Sequence, residues 1–240
     1  MVYGAVLAGG IGKRMQRSDL PKQFLPLGEK SVIVHTTEQF VINPDIDKVF
    51  VLVPKDWISY AKNLFEKETP TAYNSEKIEI ISGGADRNST LMAAIARIEE
   101  SFGLNSDDII VSHDAVRPFV TQRILNDNIE ECKKYGAVDT VYTLADTPVV
   151  SDDGEFILEI PVRSKIFLGQ TPQTFNIQLL KEIFASLTDE EKEILTDACK
   201  IFVIKNKKVK IVMGESYNMK ITTPFDYSMA LSFIDGGVVL

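Results

Sequence analysis

VYGAVLAGG (residues 2–10), IGKRMQRSDL (11–20) and PKQFL (21–25) decide how the rest of the chain is read. Residues 2–8 are an apolar run, long enough for one buried parallel strand. The run stops at Gly9-Gly10, and a loop follows that carries Gly12, Lys13, Arg14 and, a little later, Lys22. Glycines directly after a buried strand let the backbone approach a ligand, and their N–H groups can wrap an anion. Cations at such a loop suit a polyphosphate better than a neutral ligand. The same residues also read as a strand, a tight turn and solvated lysines, because a lone glycine loop is a weak signal. Two common glycine motifs are excluded. A Walker A loop needs Ser or Thr after Gly12-Lys13, where Arg14 stands, and a dinucleotide fingerprint needs a glycine where Met15 stands.

Outward from this stretch, strands and helices alternate. Helical spacing is expected over 31–40, 56–68, 88–102 and 121–135, and buried strands over KVFVLVP (48–54), KIEIIS (77–82) and DIIVS (108–112). That alternation predicts an α/β fold, a Rossmann-like, mostly parallel sheet with helices on both faces. Ligands bind at the carboxyl ends of such strands, so Gly9-Gly10, Gly83-Gly84 and His113-Asp114 should converge on one edge. Between Ala137 and Phe175 the pattern changes. Residues 138–144, 147–150 and 156–160 are strand-like around a Ser151-Asp152-Asp153-Gly154 turn, which reads as a β-hairpin arm. An arm leaving a compact sheet has an apolar face to cover, and a second subunit is the usual cover. Helices over 176–187 and from Thr188 to about Cys199, a strand over 208–213 and a helix over 224–234 complete a single domain, 1–240, with its arm at about 138–170.

Composition bounds the function classes. The chain has 240 residues, 45% hydrophobic and 25% charged, with a net charge of −8. Bulk attraction to nucleic acid or to an anionic membrane is not expected. Two cysteines and two histidines with no C-x-x-C argue against a zinc site or a disulfide framework. With no signal-like start and no apolar run of spanning length, the expected location is the cytoplasm.

Asp114, in HDAVRP, follows an apolar strand and faces the candidate phosphate loop, a position suited to holding Mg²⁺; it also reads as a turn cap. Arg117 could clamp a second anion or pair with Asp114. In GGADRNST (83–90), glycines for close approach precede Arg87 and three candidate helix caps, Asn88, Ser89 and Thr90. GQTPQTF (169–175) and NMKITTPFD (218–226) read as rigid turns at element boundaries, through Pro172 and Pro224. His35 and His113 read as satisfied core or turn residues.

In this order, AGGxGxRM…LPKQFL, GGxxR, HDxxRP, DT, QTPQ and NxKITT…D resemble the cytidylyltransferases of sugar- and polyol-phosphates, over residues 7–226. Two branches compete, the methylerythritol-phosphate enzymes of isoprenoid synthesis and the ribitol-5-phosphate enzymes of teichoic-acid synthesis. Ala8-Gly9-Gly10, where the isoprenoid enzymes usually read Ala-Ala-Gly, favours the ribitol branch. So do Pro148-Val149 after the arm's Asp146-Thr147 and the stretch EEKEILTDACKIFVIKNKKV (190–209), although Pro148 is unusual even there.

The resemblance implies that the backbone of Leu7, Ala8, Gly9, Gly10, Ile11 and Gly12 holds CTP, with Lys13, Arg14 and Lys22 on its phosphates. It assigns Gly84, Arg87 and Thr90 to the cytosine-reading segment, and Asp114 to Mg²⁺. Arg117, Thr171, Thr196 and Lys220 would line the acceptor or the α-phosphate. Thr147 and Arg163 on the arm would reach a neighbouring subunit's site, in a homodimer. The expected reaction is CTP plus D-ribitol 5-phosphate giving CDP-ribitol and pyrophosphate, with Arg14, Lys22 and Lys220 catalytic. The rivals are the same chemistry on 2-C-methyl-D-erythritol 4-phosphate and a nucleotide-binding regulatory protein without turnover.

Overall fold

The computed structural model describes residues 1–9 and 20–236. Gly10, Ile11, Gly12, Lys13 and Arg14, expected in the phosphate loop, lie outside the described residues.

Strand β1 (Val2–Leu7) is buried along its whole length. Its side chains alternate between two cores: Val2 and Val6 join one, and Tyr3, Ala5 and Leu7 the other. Gly4 sits where a Cβ would lie 2.7 Å from the Phe40 ring, so the helix beneath the strand can approach only glycine. A single 3₁₀ turn (Lys22–Phe24) follows, then a two-residue ladder, β2 (Pro26–Leu27) with β3 (Lys30–Ser31), and helix α1 (Val32–Val41). Next come β4 (Lys48–Val53), α2 (Ile58–Glu68), α3 (Pro70–Asn74), β5 (Ile78–Ser82), α4 (Arg87–Phe102), β6 (Ile109–Asp114), α5 (Gln122–Tyr135) and β7 (Ala137–Thr143). The last elements are β8 (Phe167–Asn176), α6 (Ile177–Ala185), α7 (Asp189–Glu193), α8 (Cys199–Ile204), β9 (Lys210–Met213) and α9 (Pro224–Ile234).

Among the described residues the main sheet runs β5-β4-β1-β6-β8-β7-β9. Every neighbouring pair is parallel except those of β8, which is antiparallel to both β6 and β7. One core packs α1, α2 and α5 on one face, around Phe40, Phe65 and Ile124. The other packs α4, α6 and α8 on the opposite face, around Ile95, Leu180 and Phe202. The α/β expectation therefore holds. Chain order turns outward in both directions from β1, so the carboxyl ends of β1, β5 and β6 open onto the edge where ligands bind in such sheets.

Four expectations are corrected. First, GQTPQTF is not a turn but the core of β8. Pro172 is tolerated inside the sheet because the β7–β8 register shifts between Asp139 and Val141, where its missing N–H removes no ladder bond, and its carbonyl accepts the Thr140 hydroxyl at 2.7 Å. Second, the arm is a hairpin only at its base, where β7 and β8 pair antiparallel, Val141 with Gly169 and Thr143 with Phe167; beyond that base it is irregular, with one isolated antiparallel bridge, Val150 to Glu159. The Asp153 carboxylate accepts the backbone N–H groups of Glu155 and Phe156, and Pro148 has no N–H to give to a ladder. Third, the helix expected over 188–199 is two helices. Thr188 and Glu191 form a capping box that starts α7, whereas the Asp197 carboxylate takes the Lys200 N–H and starts α8 afresh. Fourth, α4 is capped not by Asn88, Ser89 or Thr90 but by Asp86, whose carboxylate accepts the Ser89 N–H at 2.8 Å.

Candidate active site

The sheet edge at the ends of β1 and β5 is built from small residues held by buried side chains. Ala8 donates its N–H to Leu52 O, and its carbonyl accepts the Gln23 amide at 2.8 Å. Gln23 is buried, so the PKQF turn is fastened under the end of β1. Across the edge, a Cβ on Gly84 would come within 2.5 Å of Ser89 Oγ and 2.7 Å of Ser89 backbone. Glycine is required there by close approach. The Thr90 hydroxyl accepts the Gly84 N–H at 3.1 Å and donates to Asp86 O at 2.6 Å, so it folds the loop rather than facing outward.

Beside this edge stands Asp114, the last residue of β6 and buried. Three cations surround its carboxylate. Lys220 Nζ lies 2.8 Å from Oδ2, Arg117 Nε 3.6 Å from Oδ2, and Arg87 Nε 3.4 Å from Oδ1. Desolvation pushes the Asp114 carboxyl up, but the charges of Arg87, Lys220 and Arg117 together outweigh it and hold the group far below the usual carboxylate range. One carboxylate against three cations leaves a local surplus of positive charge in an acidic protein. Such a site attracts phosphate oxygens.

The cations are themselves positioned. Arg117 donates from Nη1 to Asn218 O at 2.7 Å, and Asn218 donates to Thr171 O at 2.8 Å and Gln170 Oε1 at 3.1 Å. Lys22 Nζ donates to Ile221 O at 3.1 Å. LPKQF and NMKITT, far apart in sequence, thus meet at Lys22 and Lys220.

Thr171 is buried in β8, and its hydroxyl accepts the Asp114 N–H at 3.2 Å and bonds His113 Nδ1 at 2.9 Å. It fixes the backbone beneath Asp114. The second ring nitrogen of His113 bonds Arg117 O, and burial lowers the ring to about 4, so His113 is neutral and structural. Arg87, expected on the cytosine-reading segment, turns its guanidinium to Asp114 and to Gln173 Oε1 at 2.9 Å. Being the first residue of α4, it projects from the sheet edge toward β8. Thr147, Arg163 and Thr196 are exposed and stand outside the Asp114 network, with Arg163 donating to Ala145 O at 2.8 Å. Gln23, Gln173 and Asn218 belong to the site although no sequence rule singled them out. Their signal was an amide inside each quoted motif.

Among the described residues no cluster of three or more His, Cys, Asp or Glu side chains could cage a metal ion. Both cysteines are buried. Burial pushes the Cys132 thiol to about 12 and Cys199 well above its usual value, so neither is poised to react. No helix among the described residues is long and apolar enough to cross a membrane.

A carboxylate ringed by three cations at the sheet's ligand edge, with no nucleophile paired to a base among the described residues, fits a nucleotidyltransferase. The family model for 2-C-methyl-D-erythritol 4-phosphate cytidylyltransferase (IspD) matches residues 2–235, and the chain belongs to that family of CTP-using enzymes. The solved 4-diphosphocytidyl-2C-methyl-D-erythritol synthase of Anaerococcus prevotii is similar at 25% identity, with a TM-score of 0.78, covering 98% of this chain and 96% of that one. The Francisella tularensis 2-C-methyl-D-erythritol 4-phosphate cytidylyltransferase is 27% identical, with a TM-score of 0.75, over 95% and 97% of the two chains. The Thermus thermophilus 2-C-methyl-D-erythritol 4-phosphate cytidylyltransferase, at 24% identity and a TM-score of 0.73, covers 98% of this chain and 100% of its own, and shows the shared fold.

Proposed function

We propose that this cytidylyltransferase joins CTP to the phosphate of a small polyol phosphate, releasing pyrophosphate. The observation that carries the proposal is the trio of cations around Asp114 at the sheet's ligand edge. The attacking group is an acceptor phosphate oxygen. A phosphate monoester has its second pKa at about 6 and is mostly dianionic at neutral pH, so no general base is needed. That suits a site whose buried histidine is neutral and locked by two hydrogen bonds. The oxygen attacks the α-phosphorus in line, its bond to the α-phosphorus forms, and the bond to the β-phosphate's bridging oxygen breaks. Pyrophosphate leaves with the electron pair. Lys22 and Lys220, which meet beside Asp114, would neutralise charge on the α-phosphate and the leaving group, and Arg14 would share that role.

Asp114 fits a Mg²⁺ that arrives with the triphosphate. Mg²⁺ commonly takes one or two carboxylates plus phosphate oxygens rather than a protein cage, and Asp114 stays ionised at any working pH. When bound, the ion would supply further charge neutralisation on the phosphates. Arg117, Thr171, Thr196 and Lys220 are proposed for the acceptor side, and Gly84, Arg87 and Thr90 for the nucleotide side. For Thr90 and Thr171 the support is positional, since both hydroxyls are already engaged.

The arm supports a homodimer. Val149, Phe156, Ile157, Leu158, Ile160 and Val162 are each more than half exposed, apolar side chains on the arm that a second copy would cover. Thr147 and Arg163 on the same arm would then serve the partner's site.

For the acceptor, the family model and the solved relatives favour 2-C-methyl-D-erythritol 4-phosphate. A second reading, D-ribitol 5-phosphate, rests on Ala8-Gly9-Gly10, Pro148 and residues 190–209. Pyrophosphate release with CTP, Mg²⁺ and each acceptor in turn separates them. A kcat/KM preference for either names the acceptor. No release with both would contradict the transferase reading.

A further inference from the structure

A second carboxylate stands behind the reaction centre. Asp139 lies on β7, cross-strand from Gln173 on β8. Gln173 Nε2 donates to Asp139 Oδ1 at 3.0 Å, and Gln173 Oε1 accepts from Arg87 Nη1 at 2.9 Å. Arg87 Nε in turn faces Asp114 Oδ1 at 3.4 Å. The four residues form one chain, Asp139–Gln173–Arg87–Asp114.

The chain has a defined sense. A guanidinium only donates hydrogen bonds, and an ionised carboxylate only accepts them. An amide placed between the two has one orientation that satisfies both, with its oxygen toward Arg87 and its NH₂ toward Asp139. Without the carboxylate the amide is free to flip, and its NH₂ would then meet the guanidinium donor to donor. Burial and the neighbouring Asp197 carboxylate raise Asp139 to about 6, so it is still ionised at neutral pH. Gln173 is itself buried, which leaves it few other partners. The Arg87 Nη2 is buried and has no hydrogen-bond partner among the described residues, so a guanidinium held at Nε and Nη1 keeps one donor group in reserve.

We infer that Asp139 is a positioning residue for cytidylyl transfer: through Gln173 it orients the Arg87 guanidinium against Asp114, at the centre where the phosphates react. The inference rests on the proposed reaction for its kinetic consequence, and on the hydrogen-bond chain alone for its structural one.

Asp139→Leu tests it, because it removes the acceptor that an Asn side chain would keep. The variant is expected to lose about tenfold in kcat, because a misaligned guanidinium costs the transition state more than the ground state, while the KM for CTP moves less than about twofold. In ¹H–¹⁵N spectra the Arg87 Nε–H resonance is expected to shift, and Gln173→Met is expected to shift it likewise. The double variant should be no slower than the worse single one, because both remove the same chain. Should Asp139→Leu not fold, Gln173→Met carries the same expectations. Wild-type kcat in Asp139→Leu, an unmoved Arg87 resonance, or losses that multiply in the double variant would overturn the inference. No turnover by the wild type with either acceptor would overturn the proposed reaction instead, and the Arg87 resonance would still decide the relay.

Discussion

Lys220 holds its ammonium 2.8 Å from Asp114 Oδ2, while the carbonyl of the next residue, Ile221, accepts a hydrogen bond from Lys22. The late KITT segment therefore binds the end of β6 and the PKQF turn at one point. Asp114 organises the cations there, and the cations keep Asp114 ionised.

Asp114→Asn should remove that organisation. Arg87, Arg117 and Lys220 would be left as three like charges without the carboxylate that neutralises them. Turnover should fall by about 10²-fold or more. Stability should drop by about 3 kcal/mol, near the lower end for breaking a buried pair because Lys220 is 40% exposed. Pyrophosphate release and urea unfolding measure the two effects, and a fully active variant would speak against Asp114 as the organising group.

Gln23→Leu isolates the support of the edge proposed to bind the nucleotide. The change keeps the volume but strips the amide from Ala8 O, leaving a carbonyl without its buried partner. The expected cost is about 1–3 kcal/mol of stability. CTP should bind more weakly, because Ala8 adjoins Gly9. Calorimetric titration with CTP reads this directly, and unchanged affinity would detach Gln23 from the site.

Acid should act on the fold through two groups of opposite sign. His113 falls to about 4 in the folded protein from about 6.5 in the unfolded chain. Between those values the unfolded chain binds the extra proton, so stability falls as the pH drops through the window, by on the order of 3 kcal/mol in all. Asp139 is raised to about 6, so the folded protein takes its proton first and gains stability as the pH falls from about 6 toward 4. The two effects oppose each other. Urea unfolding at about pH 7 and about pH 4.5 should therefore show Asp139→Asn losing more stability on acidification than the wild type. Equal losses would contradict the assigned directions.

Phe156→Asp places a charge in the exposed apolar segment of the arm, where Phe156 is 73% exposed in the single chain. Sedimentation should show a wild-type dimer and a variant shifted to monomer, with reduced turnover if the arm completes the partner's site. A monomeric, fully active wild type would remove the arm from the account.

Much of this was legible in the sequence where short-range pattern decides structure. The apolar run of β1, the strand ends at Gly83-Gly84 and His113-Asp114, and the helix from 122 to 135 follow from periodicity and glycine placement. What stayed hidden is long-range or conditional. Pro172 reads as a turn because the register shift that accommodates it is set by the pairing of β8 with β7, which only the fold supplies. Asp197 reads as helix interior until its carboxylate is seen starting α8. Arg87 sits in a loop motif, yet its guanidinium answers to Asp114 and Gln173, which the sheet brings to it. Gln23, Gln173 and Asn218 are ordinary amides in sequence, and only the fold gives each its buried partner.

The most direct test is Lys220→Ala, with kcat from pyrophosphate release set beside the dissociation constant for CTP. Arg87 and Arg117 remain to hold Asp114, so the fold should persist. If the cations around Asp114 stabilise the transferring phosphate, kcat falls by about 10²-fold or more while CTP binding changes by no more than about threefold. A variant that keeps near-normal turnover, or whose loss lies wholly in CTP affinity, would contradict it.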